Sequence, residues 1–222
     1  MDLLGVLKDA YPTLLKGLLT TVEVTLISLL IATVLGIITC LFRISKVPPL
    51  KWLARFYIWL IRDTPMLVQA MYIYLALPQL IQLVSGSGFK ISIMTASIAT
   101  LALNAGAYMS EIFRGAIEAV DRGQTEAARS LGLNYSQTMR KVVLPQAVRI
   151  CLPSLVNQCI ITLKDSTILY AIGLAEIMYY GKVYVGRTFA VFATYTWIAV
   201  FFLAVVSVLS FFSRKIEKKL KS

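Results

Sequence analysis

Histidine is absent from this sequence and cysteine is scarce, so the side chains that most often bind transition metals are nearly missing. The three cysteines, Cys40, Cys151 and Cys159, lie in or beside apolar runs, and none belongs to a CxxC pair. We interpret them as small buried hydrophobic residues. The composition therefore favours neither a metal site nor a redox site.

Signatures of common enzyme sites are missing as well. A nucleotide-binding Gly-x4-Gly-Lys-Ser/Thr loop is absent, because Gly181 and Lys182 are followed by Val183 and no glycine lies five residues before Gly181. The chain also lacks a GxSxG turn and an HExxH helix. We therefore predict no catalytic residues, no metal and no cofactor in this chain, which is not an enzyme by itself.

Charged residues are few, at 15% of the chain, whereas hydrophobic residues make up 58%. Soluble domains average roughly 45–50% apolar residues, so this composition indicates a membrane protein. A helix needs about 20 mostly apolar residues to cross a bilayer. Runs of that length lie at residues 18–42, 57–80, 91–113, 145–172 and 189–212. We predict one all-α polytopic membrane domain over residues 1–222, and we expect the first span to be retained rather than cleaved.

The net charge of +11 indicates the orientation of the chain rather than affinity for nucleic acid. Of its 22 basic residues, 16 are assigned to one side of the membrane: five between spans one and two, counting Arg62 near the start of span two, six between spans three and four, counting Arg149 near the start of span four, and five after span five. Basic residues concentrate on the cytoplasmic side of membrane proteins. We therefore predict an N-terminus outside the membrane, a C-terminus in the cytoplasm, a lipid bilayer around the chain and no nucleic acid partner.

Polar residues interrupt the third and fourth apolar spans. Lys164, Asp165 and Thr167 lie in the fourth span, and Asn104 precedes three small residues in the third. A charge inside a span costs about 2.5 to 3.5 kcal/mol on insertion scales, so such residues usually face a cavity or a partner. At about 1.5 Å per residue, Asp165 and Asn104 differ in depth by roughly 10 Å. We predict that they line one polar cavity; in the alternative, Lys164 and Asp165 only neutralise each other or neighbouring helices.

A polar, helix-prone segment, EAARSLGLNYSQTMRKVVLPQ, separates the third and fourth spans at residues 126–146. We expect Glu126 near the first turn of a helix, where a carboxylate suits the positive end of the helix dipole. Ala127 and Ala128 allow close approach of a partner, and Gly132 ends the helix. Pro145 is expected to start the next helix. These features predict a surface that docks onto a soluble partner.

The motifs together resemble the membrane permeases of bacterial ABC importers, and among them the polar amino acid uptake family. The family signature is EAA, three residues, Gly, nine residues and Ile-x-Leu-Pro, which residues 126–145 match except at Val142. Residues 64–69, TPMLVQ, are close to the family's RGTPxLVQ, although Asp63 replaces the family's glycine. The cluster at residues 164–166 also matches, and the resemblance covers essentially the whole chain.

This resemblance implies the type I ABC importer permease fold, with about five transmembrane helices, in a bacterial inner membrane. Residues 114–145 would form the cytoplasmic coupling region. The implied partners are ATPase subunits that bind ATP and Mg, an extracytoplasmic amino acid binding protein, and a second permease, identical or related. The coupling residues are Glu126, Ala127, Ala128, Leu131, Gly132, Leu133, Leu144 and Pro145.

For the substrate we choose Asp165, with hydrogen bonds from Asn104 and Thr167, on the basis of their polarity within apolar spans. The amino acid carried stays open between basic and neutral polar ones. Two other functions are weighed against the importer. A secondary amino acid transporter typically shows more spans or a repeat, and a non-transporting membrane scaffold would leave Asp165 unexplained.

Overall fold

A computed structural model describes residues 3–86 and 88–221 of the chain, and side chains as far as Lys215. These residues form helices and no strand. The helices are α1 (Leu3–Ile44), α2 (Pro48–Arg62), α3 (Met66–Ser85), α4 (Ile93–Glu118), α5 (Arg122–Ser130), α6 (Tyr135–Ile172), α7 (Ile177–Thr188) and α8 (Val191–Lys221). The all-α class predicted from the composition is thus confirmed.

Four of the helices, α1, α3, α6 and α8, are long and apolar enough to cross a membrane. They correspond to four of the five predicted spans. The remaining one, residues 91–113, falls on α4, which has 26 residues and carries polar residues such as Asn104 along its length. The fifth crossing and the orientation of the termini therefore stay predictions.

The bounds predicted for the second span, residues 57–80, are wrong. One helix ends at Arg62 and the next begins at Met66, so the predicted span straddles a break. Pro65 explains the break, because proline has no N–H to continue the helical ladder and disfavours helical backbone in the preceding residue. Arg62 consequently lies at the end of a 15-residue helix, instead of in the turn that follows α1.

The predicted helix start at Leu144 and Pro145 is confirmed for the regular α-helical segment Leu144–Asp165, but α6 as a whole begins ten residues before Pro145. Its first turn has a capping box: Asn134 Oδ1 accepts from the Gln137 N–H at 2.9 Å, and Gln137 Oε1 accepts from the Asn134 N–H at 2.9 Å. A π-helical turn at Met139–Val143 precedes Pro145. Such a wider turn lets the helix continue through a proline.

The core is built around the contact between α1 and α4, the most extensively packed pair of helices. Gly106 of α4 allows the close approach. A Cβ atom there would lie 3.2 Å from Leu35 Cβ of α1 and 3.1 Å from the Tyr57 hydroxyl oxygen of α2. That hydroxyl donates to the Leu103 carbonyl at 2.6 Å, so α2 is tied to α4 at the same level.

At the other end of α1, α7 packs against it through a buried acidic residue. Glu176 precedes α7 and is fully buried. Its Oε1 accepts from the Tyr179 N–H at 2.8 Å and so caps the helix. Its Oε2 is buried without a hydrogen-bond partner among the described residues. Nothing in the sequence distinguished this carboxyl from an exposed one.

Candidate substrate cavity and coupling helix

The break between α2 and α3 leaves backbone carbonyls that no helical N–H reaches. The Thr64 hydroxyl donates to the Leu60 carbonyl at 2.7 Å. Gln69, on the first turns of α3, is buried and satisfies two more: its Nε2 donates to the Ile61 carbonyl at 2.7 Å and to the Thr64 carbonyl at 3.0 Å. Since unpaired buried carbonyls are costly, this side chain holds the break in shape.

The same glutamine joins the break to α4. Asn104 Nδ2 donates to Gln69 Oε1 at 3.1 Å, across 35 residues of sequence. The predicted polar residue of the third span therefore has a structural partner, which the sequence argument had not identified. This link fixes Asn104 beside the break in the preceding helix.

Asn104 and Asp165 line one cavity of about 460 Å³ between α3, α4 and α6. Thr64, just before α3, also lines the cavity, and Tyr108 and Gln158 are its other polar lining residues. Ligand cavities typically have volumes of roughly 300 to 1,000 Å³, so this one is large enough for a free amino acid. We call it the polar cavity. The structure brings together the two residues that the depth argument placed near each other.

Thr167, the third predicted substrate residue, lies elsewhere. Its hydroxyl donates to the Lys164 carbonyl at 2.7 Å, and it is not among the residues that line the polar cavity. Lys164 is exposed, whereas Asp165 is half-buried. Within residues 3–86 and 88–215, the ion pairs are Arg43–Glu111, Arg114–Glu111 and Arg114–Glu118, so Lys164 forms none with Asp165.

A positively charged side chain, Arg62, lies at the helix break, next to a residue that lines the polar cavity. The Arg62 guanidinium lies 5.0 Å from the centroid of the Tyr108 ring, within the range of a cation–π contact. Tyr108 itself lines the cavity. Further along α4, Arg114 Nη2 lies 2.7 Å from Glu111 Oε2, and Arg43 of α1 lies 3.8 Å from the same carboxylate. The charged part of α4 thus lies between the polar cavity and α5.

Helix α5, which we call the coupling helix, is shaped almost entirely by its own neighbours. Asp121 Oδ1 accepts from the Gly123 N–H at 2.6 Å and caps its start. Its end is closed by the Gly132 N–H bonding to the Arg129 carbonyl at 3.0 Å. Gly132 has φ of +83°, a left-handed conformation that glycine adopts without strain. The predicted termination at Gly132 is confirmed.

Two details predicted for the coupling helix are wrong. Glu126 lies five residues after the capping Asp121, in the middle of the helix, so it does not interact with the positive end of the dipole. Ala128 is only 5% exposed and packs inward, whereas Glu126 and Ala127 are exposed. The most exposed apolar side chain is Leu131, at 84%. Of the predicted coupling residues in this segment, Glu126, Ala127, Leu131 and Gly132 are therefore exposed on the outer surface.

The other predicted coupling residues occupy different surroundings. Leu133, just after Gly132, is half-buried. Leu144 and Pro145 belong to α6, not to the coupling helix, and Pro145 is exposed. Leu144 borders a separate apolar cavity of about 210 Å³ that Cys40 and Cys151 also line. Both cysteines are free and buried, as predicted for small hydrophobic residues.

Known proteins of similar sequence identify the family of this chain. Residues 32–222 match the family described as the binding-protein-dependent transport system inner membrane component. The chain belongs to this family. The arginine transport system permease protein ArtQ of Bacillus subtilis (strain 168) is 37% identical over 217 residues, covering 95% of this chain and 94% of ArtQ. The glutamine transport system permease protein GlnP of Escherichia coli (strain K12) is 35% identical over 212 residues, covering 96% and 94%.

A solved structure of similar sequence is described as an amino acid ABC transporter with histidines. It matches this permease with a TM-score of 0.92 and 36% identity over 99% of both chains. The predicted family and function are confirmed: the chain is a membrane permease subunit of the amino acid ABC transport type, a multi-pass protein of the inner membrane. The secondary transporter and the scaffold are thereby set aside.

Sequence reasoning overlooked three polar residues around the cavity: Gln69, Tyr108 and Gln158. Each had a signal. Gln69 ends the TPMLVQ motif, and Gln158 is an amide within an apolar span. An amide in such a span needs a hydrogen-bonding partner, so both were candidates on the same grounds as Asn104.

Proposed function

We propose that this permease forms the amino acid pathway of an ATP-driven importer and that the polar cavity holds the substrate on its way through the membrane. One observation, more than any other, supports this location of the substrate. Asn104 from α4 and Asp165 from α6, polar residues in otherwise apolar helices, line the same cavity of about 460 Å³. A charged residue is expensive in such a helix, and a ligand in the cavity accounts for its presence.

The energy for transport would come from partner subunits. In this proposal an extracytoplasmic binding protein delivers the amino acid, and two ATPase subunits bind ATP and Mg, while this chain binds no cofactor. A second permease, identical or related, completes the pathway. ATP can drive import only if outward-open and inward-open states differ in their affinity for the substrate and for the ATPase state.

The coupling helix would receive the motion of the ATPase. Its outer surface offers Leu131 as an apolar side chain for a groove, flanked by Glu126 for a basic partner residue. Helix α4 ends four residues before the coupling helix begins and carries Asn104 and Tyr108 at the polar cavity. Displacement of the coupling helix would therefore act on the cavity through α4.

The location of the substrate is tested with the complex of this permease and its ATPase, reconstituted in liposomes. We expect Asp165→Asn and Asn104→Ala each to lower the affinity for the transported amino acid by about tenfold or more, since each removes a hydrogen bond to a charged group. Asn157→Ala is the matched control, because Asn157 is exposed on α6 and does not line the cavity. Unchanged affinity and uptake in both cavity variants would place the substrate elsewhere.

Thr167→Ala settles the third predicted residue in the same assay. The hydroxyl of Thr167 is directed at the Lys164 carbonyl, so we expect its removal to leave the affinity unchanged. A loss comparable to that of Asn104→Ala would instead mean that Thr167 reaches the substrate in another state of the transport cycle.

A further inference from the structure

Helix α2 has one buried face and one exposed aromatic face. Ala54 and Ile58 are buried against the rest of the chain. Away from them, Trp52 and Trp59 are 67% and 59% exposed, and Phe56 lies between the two indoles. The Phe56 ring stacks on Trp52 with centroids 5.6 Å apart and lies 5.8 Å from the Trp59 ring. The three rings form one continuous surface, which we call the aromatic face.

Basic side chains lie beside the aromatic face. Arg55 follows Trp52 by three residues and precedes Trp59 by four, so on the helix surface it is a neighbour of both indoles. Lys51 lies one turn before Arg55 on the same side of the helix. Arg55 is exposed, and Lys51 is partly exposed. Helix α2 therefore combines apolar rings with two positive charges along one edge.

The depth of α2 in the membrane follows from its position beside α1. A Cβ atom on Gly106 would lie 3.1 Å from the Tyr57 hydroxyl and 3.2 Å from Leu35 Cβ, so Tyr57 and Leu35 lie at roughly one level of the bundle. From Leu35 the apolar run of α1 continues to Phe42, about 10 Å further along the helix. Arg55 precedes Tyr57 by two residues and is about 3 Å nearer to that end. Its backbone is thus about 7 Å inside the apolar run.

Neither of these charges is neutralised by an ion pair within the described residues. The sequence has no acidic residue at positions 24–62. Every ion pair in the described part of the chain contains Arg43 or Arg114, and none contains Lys51 or Arg55. A charge exposed to hydrocarbon is costly, and long basic side chains lower that cost by extending toward the headgroups. The counter-charge therefore has to come from outside the chain.

We propose that α2 binds an anionic phospholipid, with the headgroup at Lys51 and Arg55 and an acyl chain along the aromatic face. Aromatic side chains favour the membrane interface, and basic residues at that level attract anionic lipids. The permease crosses the membrane, so lipid is the solvent of its exposed apolar surface. This site lies outside the polar cavity, and the inference does not depend on where the amino acid binds.

The tryptophans of α2 are the probe for this site. The sequence has three tryptophans, and a Trp197→Phe background leaves Trp52 and Trp59 as the fluorophores. The full-length permease is reconstituted in vesicles that contain brominated phosphatidylglycerol or brominated phosphatidylcholine, lipids that quench an indole at close range. We expect phosphatidylglycerol to occupy the site at least about fivefold more strongly, the factor that one basic residue near an anionic surface contributes. Equal quenching by the two lipids would overturn the inference. Absence of quenching would overturn it too, because a second permease or another segment would then cover the aromatic face.

Removal of the two charges separates selection of an anion from simple contact with lipid. Lys51→Gln combined with Arg55→Gln keeps both tryptophans of α2, so quenching by phosphatidylcholine should persist. The preference for phosphatidylglycerol should fall to less than about twofold. Lys8→Gln is the matched control, because Lys8 is exposed near the other end of α1 and should leave the preference unchanged. A preference that survives in the double variant would contradict the proposal.

A melting curve in detergent tests the same site without the Trp197→Phe substitution. A ligand that binds only the folded protein raises its melting temperature, so phosphatidylglycerol added to the unmodified permease should raise it more than phosphatidylcholine does. Inorganic phosphate should have no effect, because it brings no acyl chain to the aromatic face. The difference between the lipids should disappear in the double variant and persist in Lys8→Gln. An equal rise with inorganic phosphate would indicate a site for any phosphate anion, and no difference between the lipids would indicate no selection; either result would overturn the inference.

Discussion

The coupling helix and the polar cavity are connected by α4, yet different kinds of contact hold them in shape. Hydrogen bonds that define the coupling helix join residues that are close in sequence, such as Asp121 with Gly123 and Leu133 with Ala128. The hydrogen bond between Asn104 and Gln69 at the cavity spans 35 residues, and the one between Tyr57 and Leu103 spans 46. One region is a local structure and the other is assembled from separate helices.

This difference predicts different responses to mutation. Exposed residues of the coupling helix contribute little to the stability of the permease, so changes there should affect its partners alone. Residues that bring α1, α2 and α4 together support the cavity, so changes there should affect stability and substrate binding at once. Three predictions test this contrast, from the largest expected effect to the smallest.

Leu131→Asp should have the largest effect, and on assembly only. Leu131 is 84% exposed, so the permease gains nothing from its burial, whereas an apolar anchor at an interface is worth about 2 kcal/mol or more. We expect binding of the ATPase to weaken by about a hundredfold, since a charge is also left at the interface. Thermal unfolding of the permease in detergent should not change. Co-purification measures the first effect and a melting curve the second.

Leu131→Met is the matched control, because it retains an apolar side chain of similar size. It should leave ATPase binding nearly intact. If Leu131→Asp co-purifies normally with the ATPase and supports substrate-stimulated hydrolysis, the coupling helix does not dock through this residue. A lowered melting temperature would show that the coupling helix is less independent than its local hydrogen bonds indicate.

Glu176 extends the contrast to a second buried polar group held by distant parts of the chain. Burial raises its pKa from the ordinary value of 4.5 to about 7. The protonated form is thus favoured when α7 is packed, and the unfolded chain ionises first as pH rises. Stability should fall between pH 4.5 and about 7 and then level off. Thermal unfolding in detergent across this range measures it.

Glu176→Gln isolates this dependence, because glutamine retains an oxygen that can accept from the Tyr179 N–H. The variant should unfold at nearly the same temperature at pH 5 and pH 8, and it should exceed the parent protein in stability at the higher pH. The same pH dependence in both proteins would assign the effect to other groups.

The contrast also explains which features were predictable from the sequence. Gly132 ends the coupling helix because a left-handed residue favours glycine, a local rule that can be applied to the sequence directly. The proximity of Asn104 and Asp165 followed from counting residues along apolar spans.

Other features depended on contacts that no local pattern encodes. Gln69 donates to the Ile61 and Thr64 carbonyls, which the helix break leaves without a helical N–H. The break itself falls inside the predicted span 57–80. Helix α6 starts at Tyr135 because a π-helical turn absorbs Pro145, where the usual rule for proline predicts a boundary. Ala128 packs inward because the coupling helix rests on the rest of the chain, a matter of tertiary structure.

Gly106→Ala is expected to have the smallest effect of the three, but it acts on both stability and the cavity. The added Cβ would lie 3.1 Å from the Tyr57 hydroxyl and 3.2 Å from Leu35 Cβ, closer than ordinary contacts, so α2 or α1 must shift. Such overpacking costs about 1 to 3 kcal/mol. Because Asn104 lies two residues away on α4, we also expect weaker substrate binding. Melting curves and binding assays on the same preparation measure the two effects.

Gly115→Ala provides the control on the same helix. A Cβ at Gly115 meets no atom within 4 Å, so the substitution adds no contact and gains up to about 1 kcal/mol from the higher helix propensity of alanine. The two glycines of α4 should therefore change stability in opposite directions. If Gly106→Ala stabilises the permease as Gly115→Ala does, the contact of α1 with α4 can relax without cost. The shape of the polar cavity would then depend mainly on the hydrogen bonds of Gln69. Close packing of α1 against α4 would contribute less than the comparison with the coupling helix assumes.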